Sequence, residues 1–152
     1  MPPRLSPMTP AQDRVARTYG RVVTGAYLVL GPMGLFVTGF DHFSNVDGIE
    51  LFWFTVNPLT NLIHVLVGLI GIPMLTRPEW TRRFLLLTGV LGVPWAVTGY
   101  IVDGTLSDFF ARNPALVTAH LVTGVLALAI ALWPARGPAG AAAGEPRTAD
   151  AA

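Results

Sequence analysis

Long uncharged stretches follow one another along this chain, separated by short segments that carry the charges. They cover residues 22–40, 51–76, 84–102 and 113–135. Each is long enough to cross a hydrocarbon core of about 30 Å as a helix of roughly 20 residues. The pattern predicts four membrane-spanning helices.

The composition favours the same interpretation. Charged residues make up only 12% of the 152 residues and the mean hydropathy is +0.54, which is far from a soluble globular average. We expect a cytoplasmic N-terminal segment at 1–20, a domain of four transmembrane helices at 21–135, and a disordered cytoplasmic tail at 136–152. The first stretch exceeds the apolar part of a signal peptide, about 7–15 residues, so we expect it to be retained.

The arginine residues predict the orientation in the membrane. Of the ten basic residues, nine lie before the first stretch, between the second and third, or after the fourth. Only Arg112 lies in the other loops, which instead carry the acidic residues Asp41, Asp47, Glu50, Asp103 and Asp108. Because cytoplasmic loops carry the excess of Lys and Arg, both termini are expected in the cytoplasm.

The second and fourth stretches contain the same helix-start signal. Asn57-Pro58 and Asn113-Pro114 each place an N-cap asparagine before a proline at the first helical position, where its missing N–H costs nothing. The first and third stretches also end alike, with Val-Thr-Gly-Phe around Thr38 and Val-Thr-Gly-Tyr around Thr98. These matches predict an αα-hairpin used twice, its two copies sharing one orientation in the membrane.

Polar and small residues form a stripe on the second and fourth predicted helices. They are spaced so that each set lies on one helix face. Polar groups in lipid are costly unless they face the interior of a bundle, and small residues let helices approach closely. We therefore predict that the stripes form the packing seam of a four-helix bundle. The stripes comprise Asn57, Asn61, His64, Gly68 and Gly71, and Asn113, Val117, His120, Gly124 and Ala127.

The two histidines are the most informative members of the stripes. Each lies two turns after its N-cap, so His64 and His120 are expected at the same depth, facing the bundle axis. Burial disfavours a charged imidazole, so we expect both to be neutral, each with a polar neighbour such as Asn61, a threonine or a backbone carbonyl. Thr38 and Thr98 lie near the ends of their helices and are candidates for the same polar layer.

The sequence resembles a known family of small four-helix membrane proteins, domain of unknown function 4383. The resemblance covers roughly residues 17–133. It depends on Val-Asn-Pro-Leu at 56–59, Asn-Leu-Ile-His at 61–64, Gly-Leu-Ile-Gly at 68–71, and His120-Leu121. It implies an integral protein of a bacterial inner membrane, with no activity to transfer. Thr60 stands where members often have histidine, and Leu116-Val117 where they have Asp-Asn, which argues against a metal-binding or proton-carrying role.

Three classes of function remain open from the sequence. In the preferred one, the histidines hold the seam together through hydrogen bonds, and the chain is a structural or accessory membrane protein. In the second, His64 and His120 are axial ligands of a haem, because diagonal helices in a bundle, roughly 13 Å apart, leave room for a macrocycle. The third is a small transporter or proton relay, although the predicted spans contain no charged residue.

Other chemistry finds little support in the sequence. The chain has no cysteine, so disulfides and thiolate ligands are excluded, and a net charge of +1 offers no basic face for nucleic acid. No nucleophile elbow, phosphate-binding loop or pair of catalytic carboxylates is present, so we do not expect an enzyme. We expect no cofactor and no metal. The expected partners are the lipid bilayer and either a larger membrane complex or further copies of the chain.

The orientation can be tested with reporters fused after Ala152. We expect a fluorescent protein there to fold and fluoresce, and alkaline phosphatase there to be inactive, because the arginine distribution places the C-terminus in the cytoplasm. Active phosphatase at this position would contradict the predicted topology.

Overall fold

The structure, a computed structural model, describes residues 7–44, 48–101 and 109–134. These residues form an all-α bundle with one small β-hairpin, so the predicted fold class is confirmed. The elements are α1 (Pro10–Thr38), β1 (Ile49–Leu51), β2 (Phe54–Val56), α2 (Pro58–Met74), α3 (Pro78–Ile101) and α4 (Pro114–Ala131). The tail predicted to be disordered, 136–152, lies outside the described residues.

The helices differ in their capacity to cross a membrane. By length and composition, α1, α3 and α4 are long and apolar enough for a span. Helix α2 is apolar but has 17 residues, at the short end of the range of about 17–25 residues that a span needs. The described part of the chain therefore holds three helices that meet the criteria for a span, and the fourth crossing remains a prediction.

The N-terminal boundary predicted at residue 21 does not correspond to a break in the helix. Helix α1 begins at Pro10 because Thr9 caps it: Gln12 N–H donates to Thr9 Oγ1 over 3.3 Å, and Thr9 N–H donates to the Gln12 side chain over 2.9 Å. The helix then continues without interruption to Thr38. The segment before the apolar stretch is thus the first part of the same helix.

The second predicted span was too long at its start. Residues 51–56 are uncharged, but they belong to the β-hairpin, in which Ile49 pairs with Val56 and Leu51 pairs with Phe54. The helix begins only after Asn57, whose side chain accepts the N–H of Thr60. Uncharged composition alone does not distinguish a strand from a helix, whereas the N-cap signal gives the correct start.

Two helix pairs, α1 with α2 and α3 with α4, form the tight contacts of the bundle. Glycines allow them to approach: Gly34 lies against Asn61 in the first pair, and Gly99 lies against Val117 in the second. When the two helix pairs are compared by these contacts, Gly34 of α1 is equivalent to Gly99 of α3. The Val-Thr-Gly motifs instead make Thr38 equivalent to Thr98. The two alignments of α1 with α3 differ by more than one helical turn.

Arginines hold the end of the bundle opposite the β-hairpin. Arg17 Nη1 donates to the carbonyls of Leu75 and Thr76, over 3.1 and 2.9 Å, just past the end of α2. Arg82 Nε donates over 2.6 Å to the carbonyl of Ala131, the last residue of α4. The last carbonyls of a helix have no partner within the helix and carry a partial negative charge, so an arginine satisfies both needs.

The close approach of α1 and α2 makes Gly34 sensitive to substitution. A Cβ at Gly34 would meet the side chain of Asn61, whereas a Cβ at Gly25 in the same helix would meet nothing within 4 Å. We expect Gly34→Ala to lower the free energy of unfolding by about 1–3 kcal/mol through overpacking. Gly25→Ala should leave it unchanged or raise it by up to about 1 kcal/mol through helix propensity.

Titration of the purified protein in mixed micelles with a denaturing detergent, followed by circular dichroism, measures both variants against the unchanged chain. Equal stability of the two alanine variants would contradict the described contact between α1 and α2.

Candidate functional site

His64 and His120 meet in the centre of the bundle. Their Nε2 atoms are 3.3 Å apart, a hydrogen-bond distance. The ring centroids are 5.4 Å apart and the ring planes differ by 19°, so the rings are nearly parallel and approach each other through their Nε2 atoms. His64 is only 7% exposed. The two histidines thus lie at the same depth, and each is the other's polar neighbour, a pairing that the sequence alone does not predict.

Two further rings extend the pair into a row. Tyr27 stacks on His64 with a centroid distance of 5.0 Å and an angle of 20° between the planes. Trp95 lies against His120 at 4.5 Å and 49°. Each helix contributes one ring, so this aromatic row (Tyr27, His64, His120 and Trp95) connects all four helices. Stacked and tilted arrangements of this kind are favourable for aromatic side chains beyond the area they bury.

The hydrogen bonds determine which ring nitrogens carry the protons. His120 Nδ1 lies 2.9 Å from the carbonyl oxygen of Leu116, which can only accept, so Nδ1 carries the proton. In a neutral imidazole the other nitrogen is then an acceptor, and His64 Nε2–H must donate to His120 Nε2. This leaves His64 Nδ1 as an acceptor, and within the described part of the chain no donor forms a hydrogen bond with it.

The N-cap asparagines connect the two helix pairs reciprocally. Asn57 Nδ2 donates over 3.0 Å to the carbonyl of Phe109, in the segment that leads into α4. Asn113 Nδ2 donates over 2.8 Å to the carbonyl of Trp53, in the β-hairpin that leads into α2. Each asparagine also caps its own helix through Oδ1, which accepts from Thr60 N–H in one case and from Leu116 N–H in the other. One side chain thus starts a helix and joins it to the opposite half.

The threonines proposed for the histidine layer have other partners. Thr38 accepts from Asn61 Nδ2 over 3.3 Å and donates to the Gly34 carbonyl of its own helix. Thr98 donates to the carbonyl of Trp95 over 2.8 Å, and Arg112 donates to it over 3.4 Å. Neither threonine bonds to a histidine, because each hydroxyl returns to a carbonyl one turn earlier in its own helix.

The small members of the stripes lie at helix contacts. Gly68 faces Leu28 of α1, and Gly71 faces Thr24 of the same helix. In the second pair, Gly124 faces Val93, and Ala127 is fully buried. The stripes therefore pack mainly within each pair, while the histidines reach across to the other pair.

Two clefts between the helix pairs meet at the aromatic row. The α1–α4 cleft has a volume of about 250 Å³ and the α2–α3 cleft a volume of about 290 Å³. Tyr27, His64 and His120 line both of them. Apolar pockets with a few convergent polar groups are the usual form of small-molecule sites. Sequence reasoning missed Tyr27, although a hydroxyl in the middle of an uncharged stretch was an available signal.

The distance between the two histidine rings argues against a haem held between them. A haem held by His64 and His120 would require a macrocycle between the two Nε2 atoms, which instead contact each other at 3.3 Å. The distance between diagonal helices is thus spanned by the two rings themselves. Among the described residues, no group of three or more His, Cys, Asp or Glu side chains is placed to hold a metal ion.

The histidine contact can be measured with a double-mutant cycle. We expect His64→Leu or His120→Leu alone to lower the free energy of unfolding by about 1 kcal/mol, because each leaves the other imidazole without its partner. The double variant should lose less than the sum of the two, because removing both polar groups leaves neither unpaired. Detergent titration of the four proteins gives the coupling energy, and strictly additive losses would contradict the contact.

Comparison with known proteins gives one match. The family model described as domain of unknown function 4383 matches residues 17–133. No curated protein and no solved structure matches the chain. The matched region contains all four helices except the first residues of α1, together with both histidines and both N-cap asparagines. The resemblance predicted from the Asn-Pro and histidine motifs is therefore confirmed, and the chain belongs to the family of domain of unknown function 4383.

Proposed function

We propose that this membrane protein is not an enzyme and serves as a structural or accessory subunit. It crosses a bacterial inner membrane four times, with both termini in the cytoplasm. It binds the lipid bilayer on its outside and a larger membrane complex, or further copies of itself, as its partner. It carries no haem, and it binds no nucleic acid.

The observation that carries the proposal is the contact between His64 and His120. Each histidine uses its Nε2 on the other, and His120 uses Nδ1 on the Leu116 carbonyl. Three of the four ring nitrogens are therefore engaged in holding helices and backbone together. This use of the histidines supports a structural role better than a role as metal ligands, which would require their lone pairs to be free.

The positions of the arginine hydrogen bonds support the proposed orientation in the membrane. Arg17 and Arg82 bond to carbonyls at the ends of α2 and α4, opposite the β-hairpin. Long arginine side chains at helix ends reach from the apolar region toward the interface. A cytoplasmic location of this end agrees with the excess of arginine there.

A duplicated hairpin is part of the proposal. Arg17 acts on the end of α2 as Arg82 acts on the end of α4, and Asn57 reaches toward the second half as Asn113 reaches toward the first. Reciprocal contacts of this kind arise when two similar units are related by a twofold axis. They support the internal repeat more strongly than the short Val-Thr-Gly match, whose register differs from that of the contacts.

The absorption spectrum of the protein, extracted gently from its own membranes, tests the proposal. We expect no Soret band, because the histidines engage each other, and we expect the double variant His64→Leu/His120→Leu to reach the membrane in the same assembly on a native gel. A Soret band that either single leucine variant removes would replace this proposal with the haem-binding alternative. Failure of the double variant to assemble while its circular dichroism spectrum is unchanged would show that the histidines do more than hold the fold.

A further inference from the structure

One polar atom of the aromatic row forms no hydrogen bond within the described part of the chain. His64 Nδ1 is an acceptor by the hydrogen-bond pattern described above, and the side chain is more than nine-tenths buried. The equivalent nitrogen of His120 bonds to the Leu116 carbonyl, so the two histidines differ in this respect. An acceptor without a donor in an apolar environment costs free energy. The most direct way to satisfy it is a hydroxyl from a molecule that enters one of the adjoining clefts.

The α2–α3 cleft suits an aromatic hydroxyl. Its walls include Trp95, Phe84 and Phe110 beside the histidines, whereas aliphatic side chains dominate the α1–α4 cleft around Tyr19. Tyr19 is already bonded, since its hydroxyl donates to the Thr123 carbonyl over 2.7 Å. Aromatic walls favour a flat ring in offset or edge-on contact.

The same cleft is open toward lipid. Ile63, Ile70, Leu87 and Leu91 line it, and their exposed fractions range from 37% to 67%. Its volume of about 290 Å³ is at the low end of the range of about 300–1,000 Å³ typical of ligand sites. It can therefore enclose a single ring with its substituents, and an attached apolar tail would lie between α2 and α3 in the membrane.

We infer that the α2–α3 cleft binds a lipid-soluble phenol or hydroquinone, whose hydroxyl donates to His64 Nδ1 and whose ring lies beside Trp95. The apolar tail of the molecule extends into the bilayer past Leu87 and Leu91. The inference depends on the helices lying in a membrane, and not on the accessory role proposed above.

Photolabelling in lipid nanodiscs tests the site on the unmodified protein. The probe is 4-decylphenol with a diazirine in its tail, and the competitors are 4-decylphenol and 4-decylanisole, which differ only in the donor hydroxyl. We expect saturable labelling of residues that line the α2–α3 cleft, and displacement by the phenol at about tenfold lower concentration than by the anisole. In His64→Leu the difference between the two competitors should disappear.

Two matched variants locate the site. Leu91→Trp narrows the α2–α3 cleft and Leu126→Trp narrows the α1–α4 cleft. Both leucines line their clefts and neither is buried, with exposed fractions of 67% and 47%. We expect only Leu91→Trp to abolish the saturable labelling. Equal displacement by phenol and anisole would mean that the cleft holds acyl chains or water only, and labels confined to the α1–α4 cleft would also overturn the inference.

Discussion

The fold depends on how polar groups find partners in surroundings that offer no water. Inside a bilayer an unpaired imidazole or amide is costly, so a partner within the protein stabilises it. Here the partners are supplied across the two helix pairs: Asn57 bonds to the Phe109 carbonyl, Asn113 to the Trp53 carbonyl, and His64 to His120. Apolar packing brings α1 onto α2 and α3 onto α4, but it does not specify how the two pairs fit together. The polar bonds do.

Much of this arrangement could be predicted from the sequence. The Asn-Pro signals gave the starts of α2 and α4, and the periodicity of the stripes gave the faces that are buried. The matched spacing of His64 and His120 from their N-caps gave their common depth. Periodicity gives the direction of each side chain and its position along its own helix. Helix starts, buried faces and the depth of the histidines depend on these two quantities alone.

The other features of the fold depend on how the helices are placed relative to one another, which the pattern within a single stretch does not show. The contact between the two imidazoles requires the rotation and separation of α2 and α4, and Thr38 and Thr98 were paired by a motif that does not follow the packing register. The β-hairpin was missed because β2 lies in the same uncharged stretch as α2. Tyr27 was missed because its importance lies in the ring it stacks on, His64, which belongs to another helix.

The reciprocal bonds have a consequence for the order in which the chain is made. When the first helix pair has been made, the Phe109 carbonyl to which Asn57 donates and the His120 ring to which His64 bonds have not yet been synthesised. The first half of the protein therefore carries contacts that it cannot complete by itself. These contacts can form only when α4 has been made, so synthesis of the last helix is the step that completes the bundle.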